Sequence, residues 1–418
     1  MWLMLLLLPL ALPLSCALLC SCSACLCQRY VELLEHLFSY SSQQLQALQR
    51  QQPAIDEYLR EEQQHRLQFP RALAQLGQAK RGRTPAELGA RIGQCCDLIA
   101  EGLQLVLEDE VTPRFAAAAP PAGEWNLLTR NLRQQKRQLS WRLQLLWLLS
   151  LLLRYTLLVP LRCLGIGGCI LLVTLLTALL GQLPNRCSWK RSLVQRVLRQ
   201  CFLLSTCFIP VVRRIHNAQH RPQFGICVCN HTSPLDVIVL MCDVHYSLTG
   251  QRQDGILGII QRALVRASPH LWFERSALLD RQALCQALRL HAADSNEPPI
   301  LLFPEGTCIN NTAVMQFRKG GFAICNVVYP VALRYDRRFG DAFWDSTRCS
   351  MLRYLLLIMS SWSITCDVWY MPPHQRLPSE SALDFSRRVK AAIAAQAGID
   401  DLPWDGNLKR SNPVRDWQ

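Results

Sequence analysis

Apolar and polar positions follow two periodicities in the second half of this chain of 418 residues. From about residue 195 onward, short apolar runs typical of buried strands occur at 225–229, 299–303, 328–333 and 364–370. Segments with apolar residues at helical spacing occur around 234–243, 256–267, 281–293 and 380–396. Strands that alternate with helices predict an α/β domain in which helices flank a mixed sheet.

The amino-terminal segment is apolar enough to enter a bilayer. Residues 1–27 contain long leucine-rich runs, while Pro9 and Pro13 disfavour a straight span. We therefore expect a membrane-embedded anchor or hairpin here. The predicted architecture is an α/β domain preceded by membrane-embedded helices.

A second apolar region runs from about residue 143 to residue 183, and it is interrupted by Arg154, Pro160, Arg162 and three nearby glycines. These interruptions favour two short helical halves that are separated by a Pro/Gly joint and form a hairpin. Two complete membrane spans are the alternative. Basic residues follow at 186, 190, 191 and 196 and favour a cytosolic location for this end.

Composition shifts along the chain suggest five segments. The predicted order is a membrane anchor at 1–27, a helical region at 28–140, the membrane hairpin or spans at 141–184, a catalytic domain at 185–410 and a short tail at 411–418. An Ala/Pro run at 115–125 is typical of a linker.

The composition narrows the class of partner. The formal net charge of +14 favours an anionic partner such as a membrane surface or a phosphorylated substrate, and a hydrophobic content of 50% agrees with membrane association. We do not expect nucleic acid to be the partner, because no nucleic-acid-binding pattern accompanies the charge.

The 20 cysteines are too irregularly spaced for a disulfide scaffold. His216 and His220 have the i,i+4 spacing of some metal sites, but we expect a surface pair and infer no metal ligand.

Polar residues follow or adjoin the predicted strands at four places. They are "NHTSPLD" (230–236), "FERS" (273–276), "FPEGT" (303–307) and "YPVAL" (329–333). The edge of an open α/β sheet where strands end is the usual place for ligands, so these four stretches are the candidate site.

The first stretch has two readings. Ser233 can serve as a helix N-cap, Pro234 suits the first helical position, and Asp236 would complete a capping box. Alternatively, His231 is a general base and Asp236 orients it. Positions five apart diverge by roughly 140° on a helix, so the pair meets only if His231 precedes the helix and Asp236 lies in its first turn. The two readings are therefore compatible.

The four stretches, in this order and with these gaps, resemble the four sequence blocks of the glycerolipid acyltransferase family, in which the first block is H-x-x-x-x-D. Six further stretches look like the animal microsomal glycerol-3-phosphate acyltransferases, and they are "EDEVTPRF", "WNLLTR", "LLRYTLLVPLR", "FGDAFW", "CDVWYMPP" and "LPWDGNLKR". The resemblance covers about residues 100–410. It implies transfer of an acyl chain from acyl-CoA, as co-substrate, to the sn-1 hydroxyl of glycerol 3-phosphate, with no cofactor.

The resemblance also implies roles for individual residues. His231 would be the base and Asp236 its orienting partner, and the hydroxyl would attack the thioester directly, because no covalent nucleophile is evident. Arg275 would bind the phosphate, with Lys319 as second candidate, aided by backbone around Gly306 and by Thr307; a surface salt bridge is the alternative for Arg275 and Glu305. Glu305 would orient Arg275 or the substrate hydroxyls. The supporting residues would be Asn230, Ser233, Pro234, Phe273, Glu274, Pro304 and Pro330.

Two alternatives to this function stay open. One is an enzyme that acylates lysophosphatidic acid, and the other is a membrane adaptor that has lost catalysis. The sequons at Asn230 and Asn310 require the site to stay outside the lumen if it is to remain free of glycan. We therefore expect an endoplasmic reticulum membrane protein with a cytosolic catalytic domain. Residence on lipid droplets and homo-oligomerisation are left open.

Overall fold

The computed structural model describes residues 28–40, 43, 85–106, 111–116, 141–184, 188–252, 255–273 and 279–411. The expected anchor at 1–27, most of the linker at 115–125 and the tail beyond residue 411 lie outside these ranges, as do Glu274, Arg275 and Ser276.

The described part of the chain forms helices and strands in the following order. The α-helices are α1 (28–40), α2 (Pro85–Val106), α3 (Trp141–Leu153), α4 (Val159–Gly181), α5 (Ser188–Phe208), α6 (Leu235–Met241), α7 (Gly255–Val265), α8 (Leu279–Ala293), α9 (Gly320–Ile324), α10 (Met351–Ser360), α11 (Ala382–Ala397) and α12 (Leu408–Ser411). The strands are β1 (Val211–His216), β2 (Ile226–Cys229), β3 (Ser247–Gln251), β4 (Leu271–Phe273), β5 (Ile300–Leu302), β6 (Ala313–Val314), β7 (Val327–Asp336), β8 (Ile364–Tyr370), β9 (His374–Gln375) and β10 (Asp400–Asp401).

The main sheet is mixed, as the alternating pattern predicts. Its strand order is β1-β8-β7-β2-β5-β3-β4, and β9 pairs with the beginning of β7. The strands from β7 to β4 are mutually parallel, whereas β8 runs antiparallel to β7. All four predicted strands are present, and the sequence pattern missed β1, β3, β4 and the two-residue strand β9. The predicted fold class, a mixed sheet flanked by helices, is confirmed.

Helices cover both faces of the sheet, so its central strands are buried on both sides. The side chains of β2 alternate, with Cys227 and Cys229 in one core cluster and Ile226 and Val228 in the other. The first cluster also contains apolar residues of α4, α5, α6, α7 and α10, and the second contains residues of α8 and α11. Burial on both faces explains why β2 is a continuous apolar run rather than an alternating one.

The second apolar region is one continuous helix and not the expected pair of broken halves. Helices α3 and α4 are joined through a π-helical turn at Arg154–Leu158. A π turn just before Pro160 lets the helix pass a residue that has no backbone N–H, so the proline does not break it. Gly165 is a packing position rather than a joint, because a Cβ atom there would lie 2.0 Å from the Phe208 ring of α5.

Within the described ranges, one helix is long and apolar enough to cross a membrane. It is the 35-residue stretch Trp147–Gly181, and many of its leucines are exposed, including Leu164 at 77%. At 1.5 Å per residue the stretch is about 50 Å long, which exceeds the roughly 30 Å of a hydrocarbon core. Part of its length therefore serves packing against α5, α7 and α10.

The two arginines that interrupt the apolar pattern have a structural use. Arg154 and Arg162 are buried, and their guanidinium groups donate hydrogen bonds to backbone carbonyls at the end of α10. Arg154 Nε lies 2.6 Å from the Ser360 oxygen, and Arg162 Nη1 lies 2.7 Å from the Met359 oxygen and 2.6 Å from the Ser361 oxygen. Cations at a helix C-terminus satisfy carbonyls that lack intrahelical partners.

One of the expected flanking cations is also buried in the structure. Lys190 is 7% exposed and donates a hydrogen bond of 2.6 Å to the Leu183 carbonyl, just past the end of α4. Arg191 pairs with Glu297 at the surface. The basic segment after the apolar region is therefore partly absorbed by the fold, which weakens the charge argument for its cytosolic location.

We expect Arg162→Met to lower the free energy of unfolding by about 2–4 kcal/mol, because it keeps the stem but leaves buried carbonyls without a donor. Thermal unfolding in detergent with added lipid would measure this as a lower midpoint. The control is Arg387→Met, which removes an arginine that is 60% exposed and should change stability by less than about 0.5 kcal/mol. Equal midpoints for the two variants would show that Arg162 does not hold α10.

Candidate active site

The loop after β2 and the first turn of α6 bring His231 and Asp236 together. His231 precedes the helix, Asp236 is its second residue, and the Nδ1 and Oδ2 atoms are 2.8 Å apart. This is the arrangement that the five-residue spacing requires. The Asp236 side chain is completely buried, whereas that of His231 is 19% exposed.

Asp236 also organises the start of α6. Its Oδ2 atom accepts hydrogen bonds from the backbone N–H groups of Thr232 at 2.7 Å and Ser233 at 3.0 Å. The helix begins one residue later than the capping pattern suggests, with Pro234 as N-cap, and the Ser233 hydroxyl accepts from the Leu235 N–H at 3.2 Å. One carboxylate therefore caps the helix and contacts the imidazole.

The loop after β5 lies beside His231 because β5 is the parallel neighbour of β2. Glu305 is 1% exposed, and each of its carboxylate oxygens accepts a backbone hydrogen bond: Oε1 from His231 at 2.8 Å and Oε2 from Met315 at 3.0 Å. This differs from the expected contact of Glu305 with Arg275 or substrate hydroxyls. Both oxygens are occupied by the backbone of the site, so Glu305 holds the loops in place.

Gly306 and Arg318 form the next part of this loop. Gly306 has a φ of +69°, and a Cβ atom there would lie 2.8 Å from the guanidinium carbon of Arg318, so both backbone conformation and space require glycine. The sequence favoured Lys319 in this segment, and the structure instead places Arg318 against the loop. The Arg318 guanidinium also donates to Asn407 Oδ1 at 2.6 Å. Pro304 is buried, and Thr307 packs against Gly406.

Two residues to which the sequence gave no individual role contact the imidazole. The Phe303 ring stacks on His231 with centroids 4.3 Å apart and an interplanar angle of 24°. The Cys308 sulfur lies 3.5 Å from Nε2. A cysteine directly after "FPEGT" is the only signal that could have suggested the second contact, and its distance of 77 positions from His231 hides the contact in the sequence.

The fourth block is part of β7, on the other side of β2. Pro330 is buried opposite Val228, and its carbonyl accepts from the Met371 N–H. Beyond the end of β2, Asn230 continues the ladder through its side chain, which donates to the Leu333 carbonyl at 2.9 Å and accepts from the Leu333 N–H at 2.8 Å. Still further along β7, the Tyr335 hydroxyl donates to Asp236 Oδ1 at 2.6 Å.

Distant segments hold the loop after β5 from outside. The Asn310 amide donates to the carbonyls of Pro113 at 2.6 Å and Ala116 at 2.9 Å, and its own N–H donates to the Arg114 carbonyl. On the carboxyl-terminal side, Lys409 is 2% exposed and lies 3.5 Å from the Cys308 carbonyl. Both segments belong to stretches that carry the sequence resemblance, "EDEVTPRF" and "LPWDGNLKR".

Both sequon asparagines are structural. Asn230 and Asn310 are each 2% exposed, and their amide groups are engaged in the contacts above. A glycan would have to displace these hydrogen bonds and the surrounding packing. In the folded protein neither side chain is accessible to carry one.

The second block is not assembled with the other three within the described ranges. Phe273 is the last residue of β4, while Glu274 and Arg275 lie outside those ranges. Strand β4 ends at the same edge as β2, but β5 and β3 lie between them. At the usual strand spacing, the distance from β2 to β4 is therefore about 14 Å. Lys319 is exposed at the start of α9.

Burial and partners perturb two groups of the site. Burial alone would lower the pKa of His231, but Cys308 and Asp236 outweigh it and hold the pKa well above its usual value of 6.5. Burial raises the pKa of Glu305 to about 7, against the opposing effect of the Met315 and His231 N–H groups. An imidazole that is paired with a carboxylate through Nδ1 and reachable at Nε2 can accept a proton there and return it.

Comparison with known proteins gives consistent results. The Acyltransferase family model matches residues 212–334, which contain all four blocks. Glycerol-3-phosphate acyltransferase 3 of Mus musculus is 50% identical over 314 residues, covering 74% of this chain and 70% of that protein. The Homo sapiens protein of the same name is 49% identical, with 74% and 71% covered.

One solved structure and one more curated protein are also similar to this chain. A solved structure of a 1-acyl-sn-glycerophosphate (LPA) acyltransferase from Thermotoga maritima matches with a TM-score of 0.43 and 15% identity, over 58% of this chain and 94% of that chain. Glycerol-3-phosphate acyltransferase 4 of Mus musculus is 48% identical over 312 residues, covering 74% of this chain and 67% of that protein. On these identities, the chain belongs to the acyltransferase family, among the animal glycerol-3-phosphate acyltransferases.

Proposed function

We propose that this protein transfers an acyl chain from acyl-CoA to the sn-1 hydroxyl of glycerol 3-phosphate and so produces lysophosphatidic acid for phospholipid and triacylglycerol synthesis. The names and identities of its relatives support the substrates. The observation that carries the chemistry is the 2.8 Å contact of His231 Nδ1 with buried Asp236, which leaves Nε2, 3.5 Å from the Cys308 sulfur, as the ring nitrogen that can take up a proton.

In this proposal His231 is the general base. A primary hydroxyl is a weak nucleophile near neutral pH, so its proton must pass to Nε2 as the oxygen attacks the thioester carbonyl. Asp236 accepts the Nδ1 hydrogen bond, which fixes the tautomer and stabilises the imidazolium that forms. The coenzyme A thiolate leaves when the tetrahedral intermediate collapses, and it takes up the proton held by His231.

The acceptor phosphate needs fixed positive charge. We retain Arg275 as the first candidate because a guanidinium binds a phosphate through two parallel hydrogen bonds. Arg318 becomes the second candidate, since its guanidinium lies against Gly306 in the loop that also contacts His231. Lys319 is exposed in the same segment and stays a third candidate. Glu305 acts on the backbone of the site, and we assign it a positioning role.

The nearest alternative is an enzyme that uses lysophosphatidic acid as acceptor, because the four blocks alone do not select between the two acceptors. Two observations favour glycerol 3-phosphate. The segments 111–116 and 402–410 belong to stretches that resemble the glycerol-3-phosphate branch, and both contact the loop after β5. The catalytically silent adaptor is disfavoured because His231, Asp236 and the third block are all in contact.

We also propose that the protein works on the endoplasmic reticulum membrane with its catalytic domain in the cytosol, where acyl-CoA is available. The exposed leucines of the stretch Trp147–Gly181 support contact with lipid. The sequons do not bear on the orientation, because their asparagines are buried in the folded protein.

We expect His231→Ala and Asp236→Asn each to reduce kcat by about 10²- to 10⁴-fold, because the first removes the base and the second no longer fixes its tautomer. Labelled acyl-CoA would be supplied to washed membranes with either glycerol 3-phosphate or lysophosphatidic acid. His220→Ala, which removes a half-buried histidine after β1, is the control. Acylation of lysophosphatidic acid alone would establish the other acceptor, and no product from folded wild type would support the adaptor.

The pH dependence follows from the pairing of His231. The base is active only when unprotonated, and its raised pKa means that it becomes protonated at a higher pH than a free imidazole. We therefore expect kcat/KM to rise with pH through an inflection above 6.5. Initial rates over a range of pH, with activity restored on return to neutral pH, would measure it. An inflection at or below 6.5 would mean that the working enzyme does not hold the pair as seen.

Direct attack by the hydroxyl predicts that the Cys308 thiol is dispensable for acyl transfer. We expect Cys308→Ala to keep kcat within about tenfold of wild type, since the contact of His231 with Asp236 remains. Cys325→Ala, away from the imidazole, is the matched control. A loss as large as that of His231→Ala, together with an acyl thioester trapped on the wild-type protein, would replace direct attack by a covalent route through Cys308.

A further inference from the structure

We propose that Tyr335 is a positioning residue of the His231–Asp236 pair, acting through its hydrogen bond to the second oxygen of the carboxylate. The inference rests on the proposed function, because it assigns a role in the proton transfer that His231 performs there. Tyr335 lies outside the four blocks and is not suggested by the spacing of any motif. Its hydroxyl donates to Asp236 and not to His231.

The carboxylate of Asp236 receives donors on both oxygens. Three of them, His231 Nδ1 and the N–H groups of Thr232 and Ser233, converge on Oδ2 within 3.0 Å. Oδ1 accepts the Tyr335 hydroxyl at 2.6 Å. This contact fixes the rotation of the carboxylate, because turning it would break the short bond on Oδ1 while moving Oδ2 away from the imidazole.

The course of strand β7 places Tyr335 beside Asp236. Strand β7 continues beyond the end of β2, where Cys229 pairs with Val331, and runs past the loop that contains His231. Val331, Leu333 and Tyr335 are two residues apart and share one face of the strand, the face of the first core cluster. Leu333 is therefore the first side chain on that face once β2 has ended, and Tyr335 is the second.

Asn311 ties Tyr335 to the catalytic loop. Its side chain accepts from the Tyr335 N–H at 2.8 Å and donates to the Thr232 hydroxyl and the Leu333 carbonyl at 3.0 Å each. Asn311 adopts a left-handed conformation with a φ of +62°, which asparagine tolerates better than most residues. The strand, the loop after β5 and the loop after β2 are thus joined around one carboxylate.

The expected consequence for proton transfer has a definite sign. A hydrogen bond to Oδ1 stabilises the carboxylate most when its charge is not balanced by an imidazolium, so it favours the deprotonated pair. Without it, the pair binds its proton more strongly and the base is protonated at a higher pH. The other titratable groups that face the pair are Cys229, Glu305, Cys308, Tyr354 and Cys366.

The matched pair of variants is Tyr335→Phe and Tyr370→Phe. Tyr370 is also buried, lies in the adjacent strand β8, and donates its hydroxyl to a carboxylate, Asp243, at 2.9 Å. Each variant removes one tyrosine–carboxylate hydrogen bond from the same sheet, and only the first is connected to His231. Loss of stability alone would therefore affect both variants in similar ways.

Full-length protein in membranes would be assayed with acyl-CoA and glycerol 3-phosphate across pH. For Tyr335→Phe we expect a fall in kcat of about tenfold, little change in KM, and an inflection shifted upward by about half to one pH unit. Tyr370→Phe should keep the wild-type inflection. In the Asp236→Asn background, adding Tyr335→Phe should cost little more, because the acceptor of its hydrogen bond has already been altered.

Two results would overturn the inference. One is a wild-type inflection and kcat in a folded Tyr335→Phe variant, and the other is full additivity of its effect with that of Asp236→Asn. The failure of the proposed function would look different, since wild-type protein would then acylate no glycerol 3-phosphate and the same samples would show it directly.

Discussion

The Asp236 carboxylate is fully buried, and much of the site is organised by the need to solvate it with protein donors. An isolated carboxylate without water costs several kcal/mol, so it persists only where hydrogen bonds replace the lost hydration. Two of its donors are backbone N–H groups, which dictates the conformation of the loop after β2. A third is His231 Nδ1, which leaves Nε2 as the atom available for proton transfer. The fourth comes from β7, which ties the chemistry to the order of the strands.

The strand order explains why loops far apart in sequence form one site. Strand β2 lies between β7 and β5, all three are parallel, and therefore the loops after β2 and β5 leave the same edge. Glu305 joins those two loops through the His231 N–H, although 74 positions separate the residues. The segments at 111–116 and 402–410 then close on the loop after β5 from outside. This dependence gives a physical reason for a family resemblance that extends well beyond the four blocks.

The sequence predicted the parts of this arrangement that depend on local pattern. The apolar run 225–229 located β2, and the angle between positions five apart placed His231 before the helix and Asp236 within it. Contacts made across long separations left no such signal: Tyr335 lies 99 positions from Asp236, and Cys308 lies 77 from His231. The resemblance implied that Glu305 orients Arg275 or the substrate hydroxyls, whereas the structure supplies backbone donors for both oxygens, one from His231 and one from Met315. The broken hairpin was wrong for a related reason, since the partners of Arg154 and Arg162 lie about 200 positions away and a π turn accommodates Pro160.

Those two arginines also determine how the apolar helix relates to the site. They fasten its middle to the end of α10, and the same core cluster that holds Leu180 of α4 and Ile358 of α10 contains Leu235, the first residue of α6, and Tyr335. The long helix is therefore packed onto the catalytic sheet and is not attached to it by a flexible linker. A packed core deforms little, so the direction in which His231 faces relative to the exposed leucines is fixed by the fold. In the membrane arrangement that we propose, this rigid relation would let the apolar surface set the orientation of the site relative to the lipid.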